Sequence, residues 1–217
     1  MRSFIQRHLD PSTRLNEVLF GLIMALGITG AVRLGLEQST NRELLVAVLG
    51  CNVAWGIVDG VMFVLVSLFE RGRKARIVNS VRGAATDEAA LQHIQKELGD
   101  RLESLTTSAE REQVYRWVLD IARRADVQPP RIQRDDILGG VAVGLLIVVA
   151  TLPVVLPFVF ISNTYHAVRF SAIITLVLQF VVGYWWGRVV GANPWRIGAG
   201  VTAVGLTLVL ITIALGG

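Results

Sequence analysis

The chain has 217 residues, of which 53% are hydrophobic and only 18% are charged, and its net charge is +4. Soluble domains carry about 25% charged residues, and most of the charge here lies in one stretch, residues 70–136. The apolar runs on either side exclude a soluble globular protein, and the positive charge fits a membrane surface better than nucleic acid. The single cysteine, Cys51, excludes a disulfide framework.

Five apolar runs are long enough to cross about 30 Å of hydrocarbon as helices, which takes roughly 20 residues each. They cover residues 15–36, 44–69, 137–161, 167–190 and 197–215. The predicted fold class is all-α, a polytopic membrane protein with five transmembrane helices and a helical cytoplasmic insertion between the second and third. The domains are an N-terminal arm (1–14), helices 1–2 (15–69), the cytoplasmic domain (70–136) and helices 3–5 (137–217). We interpret the first run as a retained helix, not a cleaved signal.

The distribution of Lys and Arg predicts the topology. Positive residues concentrate in the arm (Arg2, Arg7 and Arg14), in the insertion, and beside the loop between the fourth and fifth spans (Arg188 and Arg196). Five spans place all three regions on one side, which the positive-inside rule makes cytoplasmic. We therefore expect an integral protein of the bacterial inner membrane with a cytoplasmic N-terminus.

The insertion itself is predicted to be helical. After an extension of the second span, a helix is expected near residues 87–105, followed by another that begins with a capping box formed by Thr107 and Glu110. Pro129 and Pro130 end the domain. The predicted apolar stripes are Leu91, Ile94, Leu98, Leu102 and Leu105 on the first helix, and Val114, Trp117, Val118 and Ile121 on the second.

Asp59 lies near the middle of the second apolar run, where a carboxylate costs a few kcal/mol and usually marks an ion or proton site. Helical spacing puts Asp59 on the same face of the helix as the amide of Asn52 and the thioether of Met62. Oxygen and thioether ligands suit a transition cation such as Fe²⁺ better than Ca²⁺ or Mg²⁺. The alternative is that Asp59 bonds a neighbouring helix and only specifies packing.

Glu17 is a second carboxylate, near the inner end of the first span. Counting 1.5 Å per residue places Glu17 at a different depth from Asp59. This predicts two successive stations on one ion path through the membrane. The alternative is an interfacial residue that pairs with Arg14 or caps the helix. Two glycine pairs, Gly56 with Gly60 and Gly140 with Gly144, predict close helix packing.

Two features of the insertion have both a functional and a solvated interpretation. His93, Glu97 and Asp100 share a helix face and could hold a divalent metal, although a solvated face is favoured. The basic run at residues 71–76 is typical of a juxtamembrane anchor to anionic lipid. The sequence contains no phosphate loop, nucleophile elbow or zinc-protease motif, so we do not expect an enzyme.

The pattern resembles the vacuolar iron transporter family over most of the chain. The resemblance rests on Phe20-Gly-Leu-Ile23, Gly27-Ile-Thr-Gly-Ala31, Gly139-Gly140, the Leu152-Pro to Pro157-Phe158 stretch and Gly191-Ala-Asn-Pro194. It implies a homodimer that exports Fe²⁺ or Mn²⁺ from the cytosol in exchange for protons. Asp59 and Met62 match the family's carboxylate and methionine of the second span. Phe20-Gly21 replaces an Asp-Gly pair, so Glu17 is the expected substitute.

The sequence therefore predicts a proton-coupled transporter of divalent cations. Asp59 and Met62 would bind the ion, Asn52 would lie further out, and Glu17 would admit or relay ions on the cytosolic side. The metal is substrate, and no tightly bound cofactor is expected. The predicted partners are lipid, a second copy of the chain, metal ions and protons. The alternative function is a non-transporting membrane scaffold whose cytoplasmic helices dock a partner.

Overall fold

A computed structural model describes residues 9–34, 40–127 and 129–214, and these ranges contain seven helices and no strand. Arg2, Arg7 and the C-terminal glycines lie outside them. The helices are α1 (Pro11–Leu34), α2 (Asn41–Arg82), α3 (Asp87–Glu103), α4 (Ser108–Arg124), α5 (Arg134–Phe160), α6 (Thr164–Val190) and α7 (Pro194–Ala214).

The chain divides into two compact units. The first comprises Met1–Val64 and Arg134–Gly217, and the second comprises Leu65–Gln133. Within the described residues, three helices are long and apolar enough to cross a membrane: α2, α5 and α6. The protein is therefore an all-helical integral membrane protein. The helices α1 and α7 have 24 and 21 residues, but the count of five spans stays a prediction.

Helix α1 is the centre of the first unit and packs against α5, α6 and α7, while α6 also packs against α5 and α7. Its buried face contributes Leu22 and Ala25 to a core that also contains Val48, Val154 and Phe158. Large apolar side chains on the outer faces remain exposed, as expected where lipid is the solvent. Pro153 and Pro157 lie inside α5, which nevertheless continues to Phe160.

The two predicted glycine pairs meet each other. A Cβ atom on Gly60 would lie 2.7 Å from the carbonyl oxygen of Gly140, and one on Gly56 would lie 3.0 Å from that of Gly144. Helices α2 and α5 thus cross with their backbones in contact, which only residues without a side chain permit. We call this contact the glycine seam (Gly56, Gly60, Gly140 and Gly144).

The second unit is built on the end of α2 and the hairpin of α3 and α4. Its core consists of Val81, Ala90, Ile94, Tyr115, Leu119 and Ala122. The capping box is confirmed: the Glu110 carboxylate accepts from the Thr107 N–H at 2.7 Å, and the Thr107 hydroxyl oxygen accepts from the Glu110 N–H at 3.4 Å. The hydrogen bonds from Thr107 hold the pKa of Glu110 below its usual value.

The predicted packing face of α4 is wrong in part. Trp117 and Ile121 are each 64% exposed, and the helix packs through Tyr115, Leu119 and Ala122. Those three residues are also spaced at helical intervals, so the sequence contains two adjacent stripes and the larger side chains favoured the incorrect one. Leu105 is likewise exposed and lies beyond the end of α3.

The glycine seam gives a direct test of packing. Gly60→Ala places a methyl group against the Gly140 carbonyl, and overpacking of this kind costs about 1–3 kcal/mol. We expect a lower thermal unfolding temperature in detergent. Gly50→Ala in the same helix is the matched control, because nothing lies within 4 Å of its added Cβ. Equal stability of the two variants would contradict the seam.

Candidate functional site

A cavity of about 380 Å³ lies between α1, α2 and α5. Phe20, Gly21 and Met24 line it from α1, Trp55 and Asp59 from α2, and Ile147 from α5. Asp59 contributes a carboxylate and Met24 a thioether to walls that are otherwise apolar. The cavity thus has one carboxylate-bearing and one thioether-bearing residue in a wall whose surface is almost wholly apolar.

Glu17 lies one helical turn before the cavity-lining residues of α1. It is 9% exposed, and its Oε2 atom has no hydrogen-bond partner. The Glu17 carboxylate lies within the electrostatic range of Asp59. The two carboxylates, which the sequence analysis assigned to separate stations, therefore influence each other across this unit.

The glycine seam sets the level of Asp59 along the helix axes relative to Glu17. Because Gly60 faces Gly140, Asp59 lies only about 6 Å beyond the level of Ile137, where the apolar part of α5 begins. Gly21 packs against the carbonyl of Ile147, which puts Glu17, one turn earlier, at about 9 Å on the same scale. The count from Glu70 used one helix alone, whereas this count uses the register between α2 and α5, and the depth of Asp59 in the membrane stays a prediction.

Asn52 lies two turns beyond Asp59 on α2, about 10 Å deeper. Its side chain is fully buried, and its amide nitrogen donates to the Val48 carbonyl at 2.9 Å. Its Oδ1 atom has no partner and lies 3.4 Å from the position that a Cβ on Gly21 would take. Asn52 therefore presents a free carbonyl oxygen toward α1 at the deeper side of the cavity.

Met62 does not line this cavity, and its side chain is 50% exposed. Met24 provides the thioether instead, a role that the sequence analysis did not assign. The signal was present, because Glu17, Gly21 and Met24 are separated by four and three residues and so share one face of α1. The role of Met62 stays a prediction.

The second proposed metal set receives no geometric support. Among the described residues, no three His, Cys, Asp or Glu side chains are grouped closely enough to hold a metal ion, and this includes His93, Glu97 and Asp100. These three lie on the exposed face of α3. Side chains spaced along an exposed helix face diverge into solvent unless a second element converges on them.

A sequence model of the VIT family matches residues 69–217, about two thirds of the chain. The chain belongs to the VIT family. The resemblance found from the sequence is thereby confirmed, and the family assignment indicates a membrane metal-ion transporter and not an enzyme. A search of curated proteins found none that matches. The matched residues begin after Glu17, Asn52 and Asp59, so the roles of these side chains rest on the geometry described above.

Two thioethers can now be compared experimentally. We expect Met24→Leu to weaken binding of Fe²⁺ or Co²⁺ while the protein remains folded, because the volume is kept and the soft ligand is lost. Met62→Leu is the matched control and should have the smaller effect. The measurement is a metal titration by calorimetry on purified protein. A loss of affinity confined to Met62→Leu would move the thioether ligand to the outer face of α2.

Proposed function

We propose that this VIT-family protein exports divalent transition-metal cations, Fe²⁺ or Mn²⁺, from the cytosol in exchange for protons. The observation that carries the proposal is a cavity of the membrane-spanning unit lined by Asp59 and Met24, with the buried Glu17 carboxylate one turn away in electrostatic contact with Asp59. A carboxylate without a cationic partner is costly inside a bilayer, and such residues usually mark a functional site.

The chemistry of the pair supports exchange. Two neighbouring carboxylates repel when both are ionised, and either a divalent cation or added protons relieve that repulsion. Cation and protons therefore compete for the same oxygens, which couples their movements. Met24 favours a transition metal over Ca²⁺ or Mg²⁺, and the free Oδ1 of Asn52 offers the next oxygen toward the far side.

The proposed topology has five spans, with the N-terminus and residues 70–136 in the cytoplasm of a bacterial cell. In a Cys51→Ser background, Thr164→Cys should react with an impermeant thiol reagent from outside. Gln95→Cys should react only after the cells are opened. The reason is the Lys/Arg asymmetry of the loops. Reversed labelling would contradict the topology.

We also propose a homodimer. Trp55, Met62 and Val66 share a face of α2 and are 44–53% exposed, and the cavity lies next to this face through Trp55 and Asp59. A second copy could cover that face and would bring Met62 into an interface. The mass of the purified protein in detergent and in lipid nanodiscs should equal two chains. A monomer in both would contradict the proposal.

Asp59→Asn is the central test, because the amide keeps the size of the side chain but cannot ionise. Metal-driven flux into liposomes and the accompanying proton movement should both fall at least about tenfold, since loss of even an outer partner of a metal ligand costs that much. Asp100→Asn, on the exposed face of α3, is the matched control and should be silent.

The same experiment separates transport from the scaffold alternative. If Asp59 serves packing alone, Asp59→Asn should be nearly silent, because interhelical hydrogen bonds in membranes average about 0.6 kcal/mol. A folded Asp59→Asn protein with unchanged metal affinity and flux would refute the mechanism. Wild-type protein without any metal flux would favour the scaffold.

A further inference from the structure

A second cavity, of about 470 Å³, lies within the unit Leu65–Gln133. It is formed between one face of α2 and the segment that follows α4. We call it the basic cleft and define it by Arg71 and Lys74 on α2 and by Asp126, Pro130 and Arg131 on the segment. It shares no residue with the cavity lined by Asp59 and Met24 in the other unit, which we call the carboxylate cavity.

The sequence explains how the basic cleft forms. Arg71 and Lys74 are three residues apart and so lie on one face of α2. Pro129 and Pro130 restrict the backbone of the returning segment. A Cβ on Gly72 would lie 3.8 Å from the Pro130 ring, so the segment rests directly against the helix. Arg131 is brought to the cleft in this way, although it is 57 residues after Lys74.

The charges of the cleft are predominantly positive. Three cationic side chains and one carboxylate, Asp126, line it. Arg71 is half-buried and already has another polar interaction, so it contributes charge more than free donors. Lys74 and Arg131 are exposed, and neither takes part in a hydrogen bond or ion pair within the described part of the chain. Their donors are available to a ligand.

Three other cations of the unit, all on α4, are neutralised by ion pairs. Arg116 pairs with Glu112, Arg123 with Asp87 and Arg124 with Asp120. These three cations are thus balanced by acids of α3 and α4, whereas Lys74 and Arg131 of the basic cleft have no ion-pair partner in the described part of the chain. An uncompensated pair of an ammonium and a guanidinium in a concave site is typical of phosphate recognition.

The position of the cleft along the chain indicates where the phosphate comes from. The apolar run of α2 ends at Phe69, two residues before Arg71, and that of α5 begins at Ile137, six residues after Arg131. Residues this close to the ends of apolar spans lie at the level of lipid headgroups, where basic side chains attract anionic lipid.

We propose that the basic cleft is a binding site for a phosphate group, contributed by an anionic lipid headgroup or by free phosphate. Lys74 and Arg131 hold the phosphate oxygens from opposite sides, and Arg71 adds positive charge beneath them. The site is independent of the transport proposal, because no residue of the carboxylate cavity takes part in it.

The test uses full-length protein in detergent, with three probes: dioctanoyl phosphatidic acid, dioctanoyl phosphatidylcholine and inorganic phosphate. Calorimetry should detect phosphatidic acid but not phosphatidylcholine, whose ammonium group offsets its phosphate. Lys74→Gln and Arg131→Gln should each weaken that binding by about tenfold, as expected for loss of a charge-assisted contact. Lys96→Gln and Arg116→Gln remove the same charge elsewhere in the unit and should bind as wild type.

The outcomes separate the two sources of phosphate. Binding of phosphatidic acid that inorganic phosphate does not displace supports a lipid site, and displacement by inorganic phosphate supports a site for the phosphate group alone. Three outcomes would overturn the proposal. The first is binding of phosphatidylcholine as tight as that of phosphatidic acid, and the second is no binding of either phosphatidic acid or inorganic phosphate. The third is an equal loss of affinity in the cleft variants and the control variants. Lys74, Lys96, Arg116 and Arg131 are all exposed, so the four variants should keep the wild-type unfolding temperature without ligand. Arg131→Lys keeps the charge and should retain part of the affinity for phosphatidic acid.

Discussion

The contact between the backbones of α2 and α5 determines the arrangement of the membrane-spanning unit. A helix that touches its neighbour through glycine has little freedom to slide, because Gly56 and Gly60 each fit only opposite a residue without a side chain. The glycine seam therefore fixes the level of every other residue of α2 relative to α5. Asp59, next to Gly60, is held at the depth of Glu17, and the carboxylate pair follows from that register.

This dependence also explains the limits of prediction from the sequence. Hydropathy identified the apolar runs of α2, α5 and α6, since lipid forces backbone polar groups to bond within each helix. The capping box at Thr107 was equally accessible, because it depends on residues three apart. The pairing of Gly60 with Gly140 joins residues 80 positions apart, and no local pattern specifies it. The level of Asp59 relative to α5 could not be predicted for that reason.

The sequence predicted the wrong packing face for part of α4, because two apolar stripes lie side by side on that helix. On α4, Trp117 and Ile121 are more hydrophobic than Tyr115 and Ala122, yet the latter pack. What decides is the partner, since Tyr115, Leu119 and Ala122 form one core with Ala90 and Ile94 of α3. Met24 was missed in the same way. Its position on the face of Glu17 was readable, but the neighbour on α2 that completes a ligand set was not.

Gly21 lines the carboxylate cavity at a point where α1 lies close to both α5 and α2. At Gly21 a Cβ would lie 2.9 Å from the Ile147 carbonyl, and the free Oδ1 of Asn52 lies beside the same position. On the scale counted from Ile137 this contact is about 15 Å deep, half of the hydrocarbon thickness. If a metal ion binds at Asp59 as proposed, a route outward toward Asn52 would run past this contact between α1 and α5. A movement of α1 at this point would leave the seam between α2 and α5 intact, because no atom of α1 lies among the nearest neighbours of the seam glycines.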